Sequence, residues 1–581
     1  MLLERPGEVV TREELHQGLW PDATHGDFDQ GLNIAVKKLR ETLRDSAEAP
    51  RFIETLPRRG YRFLAPVTDV SSNGSGGTPT AEVVRRSQTR RSHAIGWLVV
   101  VIALVLIAAG ATYRMMSRPA TQLSLGTLAV LPFDNLSGDP QQDFFAAGIT
   151  DEIITDVAKI SKLNVISRTS VVRFKEKEKP LKQIAAELGA DYIVEGTVKR
   201  DGTRVRVTVQ FIDAKQDRHL WVEQYDRDLN EVLGMQTEIA YMIARQVETQ
   251  IQIKAGPSKS IRPDAYEAYL RGRSAWNQRD EAGLLESIAQ YQKAIQIDPY
   301  FARAYAGLAD SYTTLGYLSD LAPQASFPLA RVAAEKAIQI DSSDAEAHAS
   351  LAYVKFYYDW DWSGSEREFR RAIELSPNYA TGHHWYSVYL TAMGRFAEAR
   401  VEIEQARRLD PLSLAIQTDI GFEAFYSSDY ERAERQLKSV LEMDPHFALA
   451  RLWLGRTYQA TGRFEEALVE YQNAESGLKQ WPVAAAALGN AYGKAGHHAK
   501  AERITRELRE LSKERYVTAY GMAIVAAGLD KRDPAIALLE QGFREKTHWL
   551  VWLRLDQRWY KVRDDERFRQ MVQRMNFPSS S

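Results

Sequence analysis

Hydrophobic and polar positions follow several different periods along the 581 residues, and each period marks a different kind of element. Near the N-terminus Leu32, Val36, Leu39 and Leu43 recur at helical spacing, which predicts a helix from about Asp29 to Leu43 with one buried face. Before it, Thr11 followed by Glu14 has the form of a capping box and predicts a shorter helix ending near Gly18. After it, Phe52–Leu56 and Tyr61–Leu64 flank Pro57-Arg58-Arg59-Gly60 and predict a β-hairpin with a basic tip. Ile95 to Tyr113 is different again: 19 residues without a charge, bounded by Trp97 and Tyr113. A stretch of this length and character predicts a single transmembrane helix with aromatic rings at its interfaces.

Beyond the span, Leu125–Phe133 predicts a strand, about Phe145–Ile160 a helix, Asn164–Arg168 a strand and Leu181–Leu188 a helix. Strands Tyr192–Lys199 and Arg204–Asp213 enclose Asp201-Gly202, a hairpin signal. Alternation of this kind predicts an α/β domain over residues 125–252. From about Ala265 the chain repeats itself. Ala399, Ala433, Ala467, Ala501 and Ala535 follow one another at intervals of 34 residues, as do Gly421, Gly455 and Gly489, and Pro377, Pro411 and Pro445. A small residue where two helices touch and a proline after the second is the tetratricopeptide signature. About eight units fit between 265 and 548, an all-α superhelix with a groove for a peptide or protein partner. Residues 549–578 hold Trp549, Trp552 and Trp559 and predict a capping helix, while Trp360 and Trp362 are expected to pack between repeats.

Composition narrows the chemistry. The chain has no cysteine, which excludes disulfides, zinc–thiolate sites and cysteine nucleophiles. The net charge of −2 gives no global attraction to polyanions, so charge matters by segment. Residues 1–36 carry 2 basic and 7 acidic side chains, whereas residues 37–67 carry 8 basic and 4 acidic. The second stretch is the one suited to face a polyanion. Arg85, Arg86, Arg90 and Arg91 precede the span and Arg114 and Arg118 follow it, which places the N-terminus on the cytoplasmic side and the C-terminus across the membrane. Residues 68–94 form a flexible basic linker.

The run from Arg12 to Asp45, with LWP and KKLRETL, followed by LPRRGYRF, closely resembles the C-terminal effector domain of OmpR/PhoB-type regulators, and is similar to membrane-spanning regulators of the ToxR and CadC kind. The resemblance implies a winged helix-turn-helix in residues 1–67. Its recognition helix would enter the major groove with Gln30, Asn33, Lys37 and Lys38, with Arg40 nearer the phosphates and Arg58 and Arg59 at the wing tip. Asn and Gln can pair bidentately with adenine, and Lys and Arg with guanine or phosphate. In that family a small sheet and a full first helix come earlier. MLLERPGEVV matches only the end of that helix, so the resemblance implies a truncated domain. Residues from Leu125, including LAVLPFDNLSGDPQQDFFAAGITDEI and GADYIVEGTV, resemble the TolB N-terminal-like domain.

These readings imply a one-component, membrane-bound transcriptional regulator. Double-stranded DNA would be bound inside, a ligand or partner protein outside, and self-association as a homodimer would couple the two. The rival reading is an anchored periplasmic interaction scaffold with a non-functional winged-helix remnant. No enzyme, cofactor or metal is expected. The acids Asp151, Glu152 and Asp156 on one helix lack a nearby histidine, and His383-His384 point about 100° apart. No phosphate loop, nucleophile elbow or HExxH motif is present.

Overall fold

A computed structural model describes residues 5, 8–11, 13–15, 36, 39, 40, 43, 45, 50–56, 59–65, 126–160, 163–175, 179–247, 261–318, 321–477 and 481–578. The chain divides into two compact units, Met1–Ser117 and Arg118–Ser581. No helix among the described residues is long and apolar enough to cross a membrane. The stretch 95–113 and the linker 68–94 lie outside the described residues.

In the first unit, β1 (Val9–Thr11), β2 (Ile53–Leu56) and β3 (Gly60–Phe63) form an antiparallel sheet in the order β1-β3-β2. The capping box is present. Thr11 N–H donates to Glu14 Oε2 at 2.8 Å, and Glu14 N–H donates to Thr11 Oγ1 at 3.2 Å. Val9–Thr11 is a strand, where the resemblance matched Val9 and Val10 to a helix end: its register with β3 sets Thr11 opposite Gly60. The core is small, made of Val10, Leu15, Val36, Ile53, Tyr61 and Phe63. The expected helix face is corrected in part. Val36 is buried, but Leu39 and Leu43 are exposed. Arg40, one turn on from Val36, takes the sheet-facing position instead, donating from Nη2 to Ile53 O at 2.8 Å and Thr55 Oγ1 at 2.7 Å.

Gly60 is where the wing's tip returns to the sheet. A Cβ there would lie 2.1 Å from the carbonyl oxygen of Val10. Gly60→Ala is therefore expected to part β1 from β3 and to destabilise this unit by about 1–3 kcal/mol. Loss of amide protection at Val10 and Tyr61 in hydrogen exchange checks this. Unchanged protection would show that the sheet tolerates the methyl group.

The second unit begins with an α/β layer. The strands β4 (Thr127–Val130), β5 (Asp134–Asn135), β6 (Asn164–Val165), β7 (Tyr192–Asp201), β8 (Arg204–Asp213) and β9 (Arg218–Asp228) run in the order β6-β4-β7-β8-β9, with β5 beside β7. The β6, β4 and β7 pairings are parallel, and β7-β8-β9 is antiparallel. Gly202, at φ +58°, makes the tight β7–β8 turn that Asp-Gly predicts. Helices α1 (Asp143–Ile160), α2 (Arg168–Val171), α3 (Leu181–Leu188) and α4 (Val232–Val247) complete this layer.

Eight helix pairs follow: α5 and α6 (Pro263–Trp276, Glu281–Ile297), α7 and α8 (Ala302–Leu318, Pro323–Ile340), α9 and α10 (Ala345–Val354, Trp362–Leu375), and α11 and α12 (Ala380–Ala392, Phe396–Leu409). They continue as α13 and α14 (Leu414–Tyr426, Tyr430–Met443), α15 and α16 (Ala448–Ala460, Phe464–Gly477), α17 and α18 (Pro482–Lys494, His498–Leu511), and α19 and α20 (Ala519–Gly528, Arg532–Arg544). The five alanines at 34-residue spacing are completely buried. The glycines serve close approach: a Cβ at Gly421 would meet Leu437 Cγ at 2.7 Å, and one at Gly455 would meet the Tyr471 ring at 2.9 Å. Together with the flanking proline turns, these contacts explain why the spacing was readable.

Candidate functional sites: the wing, the groove and the seam

The residues expected to read DNA fall into two groups. Gln30, Asn33, Lys37, Lys38 and Arg58 lie outside the described residues. Arg59 is exposed in the β2–β3 turn, which its N–H closes on Leu56 O at 3.0 Å. Arg40 is held by the hairpin through the bonds above, so its Nη2 braces the wing on the preceding helix. Arg62, which sequence reasoning did not single out, sits on β3 with Nη1 3.6 Å from Glu54. Half of its side chain or less meets solvent, and a surface pair of this kind contributes little to stability. A short basic tip on a rigid hairpin suits phosphate contact from the side of a helix lodged in a groove.

The repeat groove holds part of its own chain. Residues 548–578 contain only one α-helix, α21 (Glu566–Arg574), so the expected capping helix is mostly irregular. Instead of closing one end, the segment lies across the first helices of several pairs. Trp552 stacks on Tyr426 (4.7 Å) and meets Phe422 edge-on (4.9 Å). Trp549 packs against Trp481 and Tyr317. Asp556 binds Tyr520 and faces Arg456, and Arg554 donates to Met393 O at 3.0 Å. Trp362 donates to Met575 O at 3.0 Å and stacks on Phe577, and Trp360 packs against Phe543. Trp362 therefore receives the C-terminal segment, a correction to packing between repeats, whereas Trp360 does pack between repeats, against the eighth pair. Alternating apolar and charged residues at the C-terminus announced burial but not location.

The acids of α1 are paired in the interior and do not stand at the start of the helix. Asp151, Glu152 and Asp156 are buried where α1 meets the repeats. Arg168 lies 2.8 Å from Asp151, and Arg303 of α7 bridges Glu152 and Asp156. Tyr269 donates to Glu152 at 2.6 Å. Farther along, Ser170 donates to Asp410 at 2.6 Å, and Ser167 N–H donates to Leu409 O at 2.7 Å. Burial raises the Asp156 pKa above its ordinary value, and nearby Lys159 opposes that shift. The α/β layer is thus fastened to the repeats by buried polar bonds between residues 117 to 242 positions apart, which no local pattern could announce.

His383 and His384 each find a separate carboxylate, Glu402 at 2.6 Å and Asp419 at 2.7 Å. That arrangement orients the rings within the repeat stack. Among the described residues no group of three metal-ligating side chains converges.

Comparison with known proteins gives this geometry a class. Residues 1–63 match the family profile of the C-terminal domain of transcriptional regulatory proteins. Residues 124–242 match the second domain of HilA/YgeH-like transcriptional regulators, and residues 424–491 and 482–507 match tetratricopeptide repeats. The chain therefore carries a winged-helix domain of the kind found in transcriptional regulatory proteins and a tetratricopeptide superhelix. More particularly, it resembles regulators of the HilA and ToxR/CadC kind. Transcriptional regulator HilA of Salmonella typhimurium is 22% identical over 71% of this chain and 66% of its own length. The cholera toxin homolog transcriptional activator of Vibrio parahaemolyticus is 42% identical over 12% of this chain and 24% of its own. A Rhizobium meliloti protein named "Putative adenylate cyclase 3" is 34% identical over 41% of this chain and 42% of its own length. The chain thus spans less than two thirds of these relatives. The profile matching the α/β layer is the HilA/YgeH one, where the sequence suggested a TolB N-terminal likeness.

Proposed function

We propose that the chain is a one-component regulator that binds promoter DNA through residues 1–67 and responds to a ligand or protein through its α/β and repeat domains. The observation that supports this most is the exposed arginine at the tip of a braced hairpin, in a segment matching DNA-binding regulators. In this reading Gln30, Asn33, Lys37 and Lys38 face bases and phosphates in the major groove, while Arg58 and Arg59 reach the neighbouring minor groove. Residues 95–113 anchor the chain in the bacterial inner membrane, with the N-terminus cytoplasmic and the C-terminus periplasmic. The TolB N-terminal likeness belongs to the same reading, as a sensing or transmitting module. Homodimer formation would then act on DNA by raising the effective concentration at tandem half-sites.

The test is chromatin immunoprecipitation of the full chain carrying Arg58→Ala and Arg59→Ala, followed by salt titration of binding to the recovered promoters. Each lost phosphate contact is expected to lower the salt slope by about 1 and to weaken binding to all sequences alike. Undiminished occupancy by a stably expressed variant would remove the wing from the mechanism.

A further inference from the structure

Two cavities open on the seam between the α/β layer and the first repeats, and the Arg168–Asp151 ion pair lines both. The more polar one has a volume of about 110 Å³. That exceeds by several fold the roughly 10–15 Å³ needed to admit one water. Its walls carry hydrogen-bond donors that the protein itself does not use.

Three of these donors lie on and just after α5. Arg273 pairs with Glu346 through Nη1 at 3.0 Å, yet its Nε is buried with no acceptor. Trp276 Nε1 is likewise buried without a partner. Arg279 stacks over the Trp276 ring, with the guanidinium carbon 3.5 Å from the centroid, and has no carboxylate within ion-pair distance among the described residues. It also holds φ at +60°, a conformation that side chains other than Gly, Asn and Asp rarely adopt. The same left-handed residue closes the corresponding turn of later pairs, at Trp360, Ser428 and Asp530, so it belongs to the repeat. From the opposite wall Lys159 adds a second cation with no carboxylate in ion-pair range among the described residues, although the charges of Asp344, Asp156, Glu346 and Asp341 favour its charged form. Of the acids, Asp151 and Glu346 are already paired, and burial pushes the Asp310 carboxyl up to about 7.

We infer that this cavity is a binding site for a small oxyanion, a carboxylate or a phosphate, held by Arg279 and by the Arg273 Nε and Trp276 Nε1 hydrogens. An acceptor-rich anion supplies what the buried Arg273 Nε and Trp276 Nε1 lack, and the Arg279 guanidinium, exposed at the mouth, can hold two of its oxygens at once. Because the walls come from both the α/β layer and the repeats, occupancy would tighten the seam between them. The inference deepens the ligand-sensing part of the proposed function and makes no use of its DNA-binding part.

The test is thermal unfolding of the full chain with L-lactate or with inorganic phosphate, each against sodium chloride of equal ionic strength. At least one anion is expected to raise the melting temperature. Arg279→Gln should abolish the rise, while Arg262→Gln, an exposed arginine at the start of α5, should keep it. Lactate acting alone identifies a carboxylate site, and phosphate alone a phosphate site. Should Arg279→Gln fail to fold, Trp276→Phe keeps the ring, removes the donor and should weaken affinity about tenfold. No rise with either anion, or an equal rise in the variants, overturns the inference. Promoter affinity of Arg279→Gln measured without added anion should match wild type, which separates failure of this site from failure of the regulator reading.

Discussion

Replacing Asp556 with alanine is expected to destabilise the repeat domain by about 3–5 kcal/mol and to release the C-terminal segment from the groove. Asp556 is almost completely buried and anchors that segment by several bonds. Arg558 reaches it through Nη2 at 2.5 Å and Nε at 2.9 Å, Arg456 approaches to 3.4 Å, and Tyr520 O–H donates to Oδ2 at 3.0 Å. Tyr520 in turn accepts the Trp559 indole hydrogen at 3.1 Å. Burial alone would raise the Asp556 pKa, but the charges of Arg558 and then Arg456 outweigh it and hold the carboxyl far below the usual carboxylate range. Removing the acid leaves Arg456 and Arg558, both buried, without their counter-charge.

The same pairing fixes a pH dependence. A carboxyl with its folded pKa depressed contributes stability that is present above about pH 4 and is lost as pH falls. Urea unfolding followed by tryptophan fluorescence measures the loss, and limited proteolysis locates it. Cleavage should appear between Glu545 and Asp565 in Asp556→Ala under conditions that leave the wild type intact. A variant within about 0.5 kcal/mol of wild type, with no new cleavage, would show that the aromatic contacts hold the segment without the ion cluster.

How much of this was legible follows from what each signal encodes. The repeats were readable because one contact recurs: Ala433 or Ala467 must be small wherever two helices cross, so the constraint appears at fixed intervals. The Gly202 turn and the Thr11–Glu14 cap were readable because the residues that make them are neighbours in sequence. Strand β9 was missed. It is an edge strand with Arg218–Val222 largely exposed, so it shows no alternation of buried and polar positions. The helix before the wing was read with too wide an apolar face, because Leu39 and Leu43 look like core residues until the small sheet leaves them uncovered. The seam was unreadable in principle. Glu152 and Arg303 each look like ordinary surface charges in their own helices, and only the packing of α1 on α7 brings them together. The tryptophans of the C-terminus were legible as buried, but hydrophobicity has no direction, and the fold alone decides that they occupy a groove.

That occupied groove contains a histidine with no polar partner, which leads to the second large effect. His548 is completely buried between Tyr317, Tyr357 and Trp549, and neither ring nitrogen finds a hydrogen bond among the described residues. Burial pushes its pKa down from 6.5 to about 3. The unfolded chain therefore binds this proton more readily than the folded one. The folded state is unaffected by it above about pH 6.5 and loses stability as pH falls toward 3, by about 2 kcal/mol at pH 5 and about 5 kcal/mol at the lower end. His548→Phe fills the same aromatic pocket and removes both unpartnered nitrogens, each of which carries a desolvation cost of about 1–3 kcal/mol. The variant is expected to equal or exceed wild-type stability at pH 7.5 and to lose about 2 kcal/mol less between pH 7.5 and pH 5. Measuring over that interval keeps the effect clear of most carboxylate titrations, whose unfolded values lie near 4. Urea midpoints for both proteins at pH 7.5, 6 and 5 decide the matter. Parallel profiles would mean that His548 takes up its proton within the fold, and hence that the aromatic groove opens to water before the repeats unfold.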